Sequence, residues 1–290
     1  MIGTDLFWSI NPASMHDVLS RLAAMVRANL LASDPAVEQI TAGPASDAEM
    51  DGLPIQFIDG VAVVSLSGPM LRRAGLIAQL FGFAGTDQVR MAIHAALVDD
   101  TVHDIVLRVD SPGGSVSGLA EIGDLMAAAD KPIHAVVEGM AASAAYYVAS
   151  QADRILVGRN DLIGSIGVKT MLYDYSEAFE NAGIKAIPID TGDFKSAGAF
   201  GTEITEEQKA DFQRIVDGYY ADFVSVVARG RGISEEAVRA AGDGRVFFPD
   251  EAMKMNLIDG IGDVAHVISE LRSKAKPGRS TQAARARINL

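Results

Sequence analysis

PIHAVVEGMAASAAYYVASQADRILVG, residues 132–158, carries the alternation that decides the fold. PIHAVVE (132–138) is apolar and β-branched and has the length of a strand. The alanine-rich run after Gly139 is built from the best helix former, and DRILVG (153–158) reads as a strand again. Working outward, VAVVSLSG (61–68) is a strand bounded by Gly-Pro, DQVRMAIHAALVD (87–99) carries a helical apolar face, DIVLRVD (104–110) is a near-continuous apolar strand, and GLAEIGDLMAAA (118–129) is helical. Strands separated by helices of about ten residues pair in parallel through right-handed crossovers, so an α/β fold is expected.

Further along, TEEQKADFQRIVDGYYADFVSVVARGRG (205–232) is a long amphipathic helix, with Thr205 and Gln208 placed for a capping box and Gly230 near its end. Two shorter helices follow. SMHDVLSRLAAMVRANL has helical spacing after a candidate cap, Ser14, and the polar, turn-rich SDPAVEQITAGPASDAEMDG comes next. The expected organisation is a helical arm with a linker over residues 1–50, one main domain over 51–272, and a basic tail over 273–290. That tail has no apolar periodicity and reads as solvated and disordered, with a docking or nucleic-acid arm as the alternative.

Composition bounds the chemistry. The chain has 290 residues, 49% of them hydrophobic, which is enough for a well-filled core. It has no cysteine, so disulfides, thiolate nucleophiles and zinc–sulfur sites are excluded. A net charge of −13 repels phosphate backbones and argues against nucleic acid as the main partner. The start lacks a signal-peptide pattern, and the longest uncharged apolar run, GLIAQLFGFAG (75–85), is too short to span a bilayer. A soluble, cytoplasmic protein is expected.

Three strand-to-helix junctions carry residues with possible chemistry, at the strand ends where α/β sheets place their sites. In RVDSPGGSVSG (108–118), Pro112 stops the strand and Gly113–Gly114 bares backbone amides that can face an oxyanion; a plain tight turn explains the same residues. In GMAASAAYYVAS (139–150), small neighbours let a substrate approach Ser143 closely, and close helix packing accounts equally for the alanines. In IPIDTGDFKSAGAF (187–200), Lys195 follows an expected strand, flanked by Phe194, Ser196, Ala197 and Gly198; a loop lysine is the ordinary alternative.

A serine nucleophile needs a base. The five histidines, His16, His94, His103, His134 and His266, lie in the arm, on amphipathic helices or at strand starts, and none sits in a glycine-flanked loop. Lysine serves as a base once it is neutral. An exposed ammonium titrates near 10.4, so a catalytic lysine must be made about a thousandfold less basic by burial. Lys195 has suitable neighbours, and Lys169 in GSIGVKT is the rival.

The set SPGG, GMAASAAYY, LIGSIGV (162–168), TGDFKSAG and GRVFFPDEAMKMNLIDGIGD (244–263) resembles the signal peptide peptidase A family of serine peptidases over residues 61 to about 271. The resemblance implies a ClpP/crotonase-like fold of stacked ββα units and a Ser–Lys dyad. By position Ser143 matches the nucleophile and Lys195 the general base. Ser165 matches the hydroxyl that orients the lysine, and Gly114 matches an oxyanion-hole amide, joined by the Ala144 N–H. Lys169 falls outside the family's catalytic positions. No metal or cofactor is implied.

The start LFWSINPASMHDVLSRLAAM, with MAASAAY and GSIGV, looks most like the lambda-type phage head maturation proteases. These act on scaffold and portal proteins inside an assembling procapsid. The family assembles into rings or domes that share active sites, so a homo-oligomer is expected, in host cytoplasm or procapsid interior. Small residues around Ser143 point to a shallow S1 pocket for small apolar side chains. A cytoplasmic signal-peptide-peptidase-like enzyme degrading peptides, a crotonase-like acyl-CoA enzyme and a non-catalytic assembly protein remain as alternatives.

Overall fold

A computed structural model describes residues 53–75, 78 and 81–274. The expected arm and linker (1–50) and the tail from 275 lie outside the described residues.

The described chain opens with an antiparallel hairpin, β1 (Ile55–Ile58) and β2 (Val61–Ser67), joined by Asp59–Gly60. Both turn residues have positive φ, 50° and 83°, as a two-residue hairpin turn that matches strand twist requires. Two short strands, β3 (Met70–Leu71) and β4 (Ala84–Gly85), pair beside it and lead into helix α1 (Thr86–Val98). β5 (Asp104–Ser111), α2 (Leu119–Ala127), β6 (Ile133–Ala142), α3 (Ala144–Ala149) and β7 (Arg154–Val157) then alternate. β2, β5, β6 and β7 pair in parallel in that order.

Burial explains the apolar runs. Ala62, Val64, Leu66, Ile105, Leu107, Val109, Ala135 and Val137 point to one face of the sheet, where they share a core with Ile93 and Ala96 of α1, Ile122 of α2 and Tyr146 of α3. The opposite residues, Val61, Val63, Val106, Val136 and Leu156, form a second, smaller core with Val267 and Leu271. Strands covered on both faces have no polar side to alternate with, which is why they read as continuous rather than alternating.

β6 departs from the expected 132–138 strand: it continues through Gly139 to Ala142, so the first alanines of the run are strand and only the later ones helix. The cause is a change of partner. Val137 still pairs with Val157 of β7, but Met140–Ala142 pair with β8 (Leu162–Gly164). Beside β5 the register jumps, from Val109 opposite Val137 to Ser111 opposite Ala141, so β6 carries two extra residues at this point. Gly139, at φ 115°, absorbs the bend.

The remaining elements pack around this sheet. α4 (Ser176–Asn181) leads into a surface segment, and α5 (Glu206–Arg231) is the long helix expected from its sequence, with the Thr205–Gln208 capping box formed. Its left-handed cap is Gly232, at φ 63°; Gly230 lies inside the helix, where a side chain would meet the Ser150 carbonyl of α3. α6 (Glu235–Ala241), β9 (Val246–Phe247), α7 (Pro249–Lys254), β10 (Gly260–Ile261) and α8 (Val264–Lys274) follow. The expected strand before Lys195 is not formed: residues 184–190 take no regular structure, and Ile187 and Ile189 are 73% and 94% exposed. β-branched residues favour strand geometry, but no other described segment lies alongside to complete the ladder.

Among the described residues, no helix is long and apolar enough to cross a membrane, and no cluster of His, Asp or Glu could hold a metal ion.

Candidate active site

Ser143 occupies the one-residue corner where β6 becomes α3. Its backbone is strained, with φ 54° and ψ −123°, a region that costs a non-glycine residue about 1–3 kcal/mol. Neighbouring bonds hold it there: the Ser143 N–H donates to the Gly164 carbonyl of β8 at 2.8 Å, and the Tyr147 N–H donates to the Ser143 carbonyl at 2.9 Å. The small flanking residues are what allow the corner to be packed, since Ala141, Ala142, Ala144 and Ala145 are all buried. Tyr146 pins the helix by donating from its hydroxyl to the Leu257 carbonyl at 2.8 Å, and Tyr147 donates to Asp222 of α5 at 3.1 Å. Burial pushes both phenols well above their ordinary range, so they remain neutral donors.

The Ser143 side chain is fully buried, and its Oγ has no hydrogen-bond partner among the described residues. A buried hydroxyl left unsatisfied costs about 1–3 kcal/mol. Strain and an idle polar group at one residue are unfavourable for folding and need another explanation.

Gly113 and Gly114 lie directly against this corner. A side chain on Gly113, at φ 93°, would come within 2.8 Å of both the Ser143 Cβ and the Ala144 nitrogen. The Gly113 carbonyl accepts from the Met70 N–H at 2.8 Å, and the Ser115 N–H donates to the Met70 carbonyl at 2.9 Å. The carbonyl and the following N–H of a planar trans peptide point in opposite directions. With Gly113 C=O turned to β3, the Gly114 N–H faces the opposite side, that of β6 and Ser143. α2 begins only at Leu119, so these amides belong to the connection after β5, where Gly114 bridges Met70, and not to a helix N-terminus.

Ser165 comes abreast of Ser143. Ala142 pairs with Gly164 in register, so the two serines are the residues that immediately follow the ends of two paired parallel strands. Ser165 also has positive φ, 50°, and its N–H donates to the Arg245 carbonyl at 2.7 Å. It opens onto a cleft of about 440 Å³ shared with Lys169, Gln213, Asp217, Tyr220 and Gly244.

Four of the five site residues expected from sequence, Ser143, Ser165, Gly114 and Ala144, therefore gather at one place. Lys195 makes no side-chain hydrogen bond to any of them among the described residues. It is solvent-exposed on a turn, its N–H donating to the Gly192 carbonyl at 3.0 Å. Gln208 tethers that turn to the start of α5 by donating to the Asp193 carbonyl at 3.1 Å. Tyr147 meets α5 at Asp222, about 20 Å along the helix from Gln208, whereas the Ser165 cleft reaches α5 at Gln213, only about 7 Å along it. Lys169 is also exposed and lines the Ser165 cleft. Of the described histidines, His103 and His134 both bond Asp104, at 2.7 and 3.0 Å, at the opposite ends of the strands from Ser143.

Sequence reasoning singled out Gly113 for its backbone freedom but not for its contact with Ser143, which needs coordinates, and it missed the Met70 backbone, which has no side-chain signature. It also passed over Ser111, which is fully buried beside them.

The model of Peptidase family S49 matches residues 126–277, more than half the chain and inclusive of Ser143, Ser165 and Lys195. The Clp protease model matches residues 82–156, which span Gly113, Gly114 and Ser143, and the mostly parallel sheet with its crossover helices is a ClpP-like fold.

Among curated proteins, a Methanocaldococcus jannaschii chain named as a candidate protease is 32% identical over 179 residues, 61% of this chain and 58% of that one. The head-tail preconnector protein of Enterobacteria phage P21 is 29% identical over 216 residues, 74% of this chain and 43% of its own. Capsid assembly protease C of Escherichia phage lambda is 26% identical over 273 residues, 91% of this chain and 62% of its own. The chain thus spans about half the length of the curated relatives it matches. With the family model matched over residues 126–277, more than half of the chain, and with a ClpP-like fold, the chain belongs to peptidase family S49.

Proposed function

We propose that this chain is a serine endopeptidase using a Ser–Lys dyad, completed between neighbouring copies in a homo-oligomer, and that it cleaves scaffold and portal proteins during procapsid maturation. The observation that carries the reading is Ser143, held at φ 54° with an unpartnered Oγ beside the Gly113–Gly114 pair. Strain and an idle hydroxyl at one residue support its reading as the nucleophile, the position that Ser143 takes in the resemblance to the family motif.

In the proposed reaction a neutral Lys195 amine from a neighbouring copy accepts the Ser143 proton as Oγ attacks the peptide carbonyl. The Gly114 and Ala144 N–H groups stabilise the oxyanion, and Ser165 orients the amine. The lysine returns its proton to the leaving amine as the C–N bond breaks. Water, deprotonated by the lysine, then attacks the acyl ester and restores the Ser143 hydroxyl. Ile187, Ile189, Phe194 and Phe200 are 53–94% exposed around Lys195, and such a surface supports assembly that would dehydrate the amine. The small residues around Ser143 favour small apolar P1 side chains.

The lambda relative's name and its coverage of 91% of this chain support a capsid-assembly role, in host cytoplasm or procapsid interior. Intact mass of candidate capsid, portal and scaffold proteins after incubation with wild type and Ser143→Ala tests it. Cleavage by wild type alone is expected; cleavage by neither rules out these substrates.

A further inference from the structure

Two adjacent glycines give the Gly113–Gly114 peptide almost free rotation, so an amide there points at a reacting oxygen only if something fixes the plane. The structure provides this on both sides of Gly113. Its carbonyl is held by the Met70 N–H at 2.8 Å, and its own N–H donates to the Ser111 Oγ at 3.1 Å. The Ser111 hydroxyl in turn donates to the Gly68 carbonyl at 2.7 Å. Gly68, at φ 83°, donates its own N–H to the Asp110 carbonyl at 2.9 Å, so β2 and β5 are tied together at this point. Ser111 is fully buried and uses its hydroxyl as donor and acceptor at once. Alanine offers neither role, and leaves the Gly68 carbonyl and the Gly113 N–H without their partner.

We infer that Ser111 is a positioning residue for peptide hydrolysis: its hydroxyl fixes the Pro112–Gly113 peptide, and so presents the Gly113 carbonyl to the Met70 N–H that sets the Gly113–Gly114 plane, keeping the Gly114 N–H aimed at the oxyanion formed on Ser143 attack. This inference rests on the peptidase reading. Ser111 touches no reacting atom; it acts through Gly113. The serine of SPGG is thus required for its hydroxyl and not only for its size.

The test is the rate at which a fluorophosphonate phosphonylates Ser143, followed by intact mass on the full-chain assembly, because the phosphoryl oxygen needs the same amide as the oxyanion. Ser111→Ala is expected to label about ten- to a hundredfold more slowly at every pH, with the midpoint of the pH profile unmoved, since the base is untouched. Ser111→Thr keeps the hydroxyl and is expected within about threefold of wild type. Ser111→Cys has nearly the original shape but a weak hydrogen-bonding group; it is expected to match Ser111→Ala and to remain folded where alanine does not.

Wild-type labelling rates in a folded Ser111→Ala or Ser111→Cys protein overturn the inference. So does a loss accompanied by a shifted pH midpoint. A wild-type assembly that takes no label on Ser143 sinks the peptidase reading instead. The positioning claim then still has its own readout, because a Ser111→Ala crystal structure with Gly113 C=O unmoved on the Met70 N–H refutes it, and a turned peptide supports it.

Discussion

Gly113 and Ser143 touch so closely that no side chain fits between them: a methyl group on Gly113 would lie 2.8 Å from the Ser143 Cβ and 2.7 Å from the Ala142 carbonyl oxygen. The contact joins the end of β5 to the end of β6 and sets how near the Gly114 amide comes to the reacting hydroxyl. Gly113→Ala must strain φ 93° and push these strands apart. Loss of about 2–4 kcal/mol in urea unfolding is expected, with phosphonate labelling of Ser143 falling by at least about a hundredfold.

Ser143→Ala separates stability from activity. The substitution removes an unpartnered buried hydroxyl and leaves backbone strain unchanged. A gain of about 1 kcal/mol in unfolding free energy is expected, together with loss of all peptide cleavage. Ser143→Gly should be at least as stable as Ser143→Ala, since glycine tolerates positive φ. A destabilised Ser143→Ala would mean that the hydroxyl has a structural partner.

Lys195→Ala distinguishes the dyad from acyl-CoA chemistry on a related fold. Lys195 is exposed in the single chain, so the melting temperature of the protomer should barely change. Peptide turnover should fall by about a thousandfold or more. An enzyme that kept its activity without this amine would not be using it as the base.

The surface around Lys195 is testable by assembly state. Ile189 is 94% exposed, so Ile189→Glu costs the lone protomer almost nothing. Within an apolar interface the same change buries a charge. Light scattering is expected to show smaller species, with peptide cleavage lost in parallel; an unchanged assembly would place the interface elsewhere.

Acid stability tracks Asp259. Burial pushes its carboxyl up, but the Arg231 guanidinium, bonded at 2.8 and 3.0 Å, and the Ile155 N–H at 2.7 Å outweigh burial and hold it below the ordinary carboxylate range. A depressed folded-state value contributes stability that is present above about pH 4 and lost as pH falls through the folded value. Asp259→Asn should therefore cost about 1–2 kcal/mol at pH 7 and progressively less below about pH 4. A constant deficit across that range would contradict the ion-pair account.

The strands and helices were legible wherever one periodicity ran unbroken, as in DIVLRVD and in α5 with its Thr205 cap. They were not legible where tertiary pairing overrides local preference: alanines 141 and 142 favour helix but are drawn into β6 by pairing with β8. The isoleucines at 187 and 189 favour strand but have no neighbour to pair with. At the site, Ser143 and Gly114 stood out by type and spacing. Gly113 stood out for its backbone freedom, but Ser111 did not, because its part depends on which way a peptide plane faces, and that plane is held by Met70, forty-one residues before Ser111.

α5 carries Tyr147's partner Asp222 well along its length and the tether to the Lys195 turn near its start. A helix this long does not shorten, so it behaves as a ruler within each copy. In the assembly proposed above, that fixed spacing limits how neighbouring copies can bring amine and alcohol together. Adding or deleting one turn between Gln208 and Asp222 would then spoil every site at once while leaving each separate core sound.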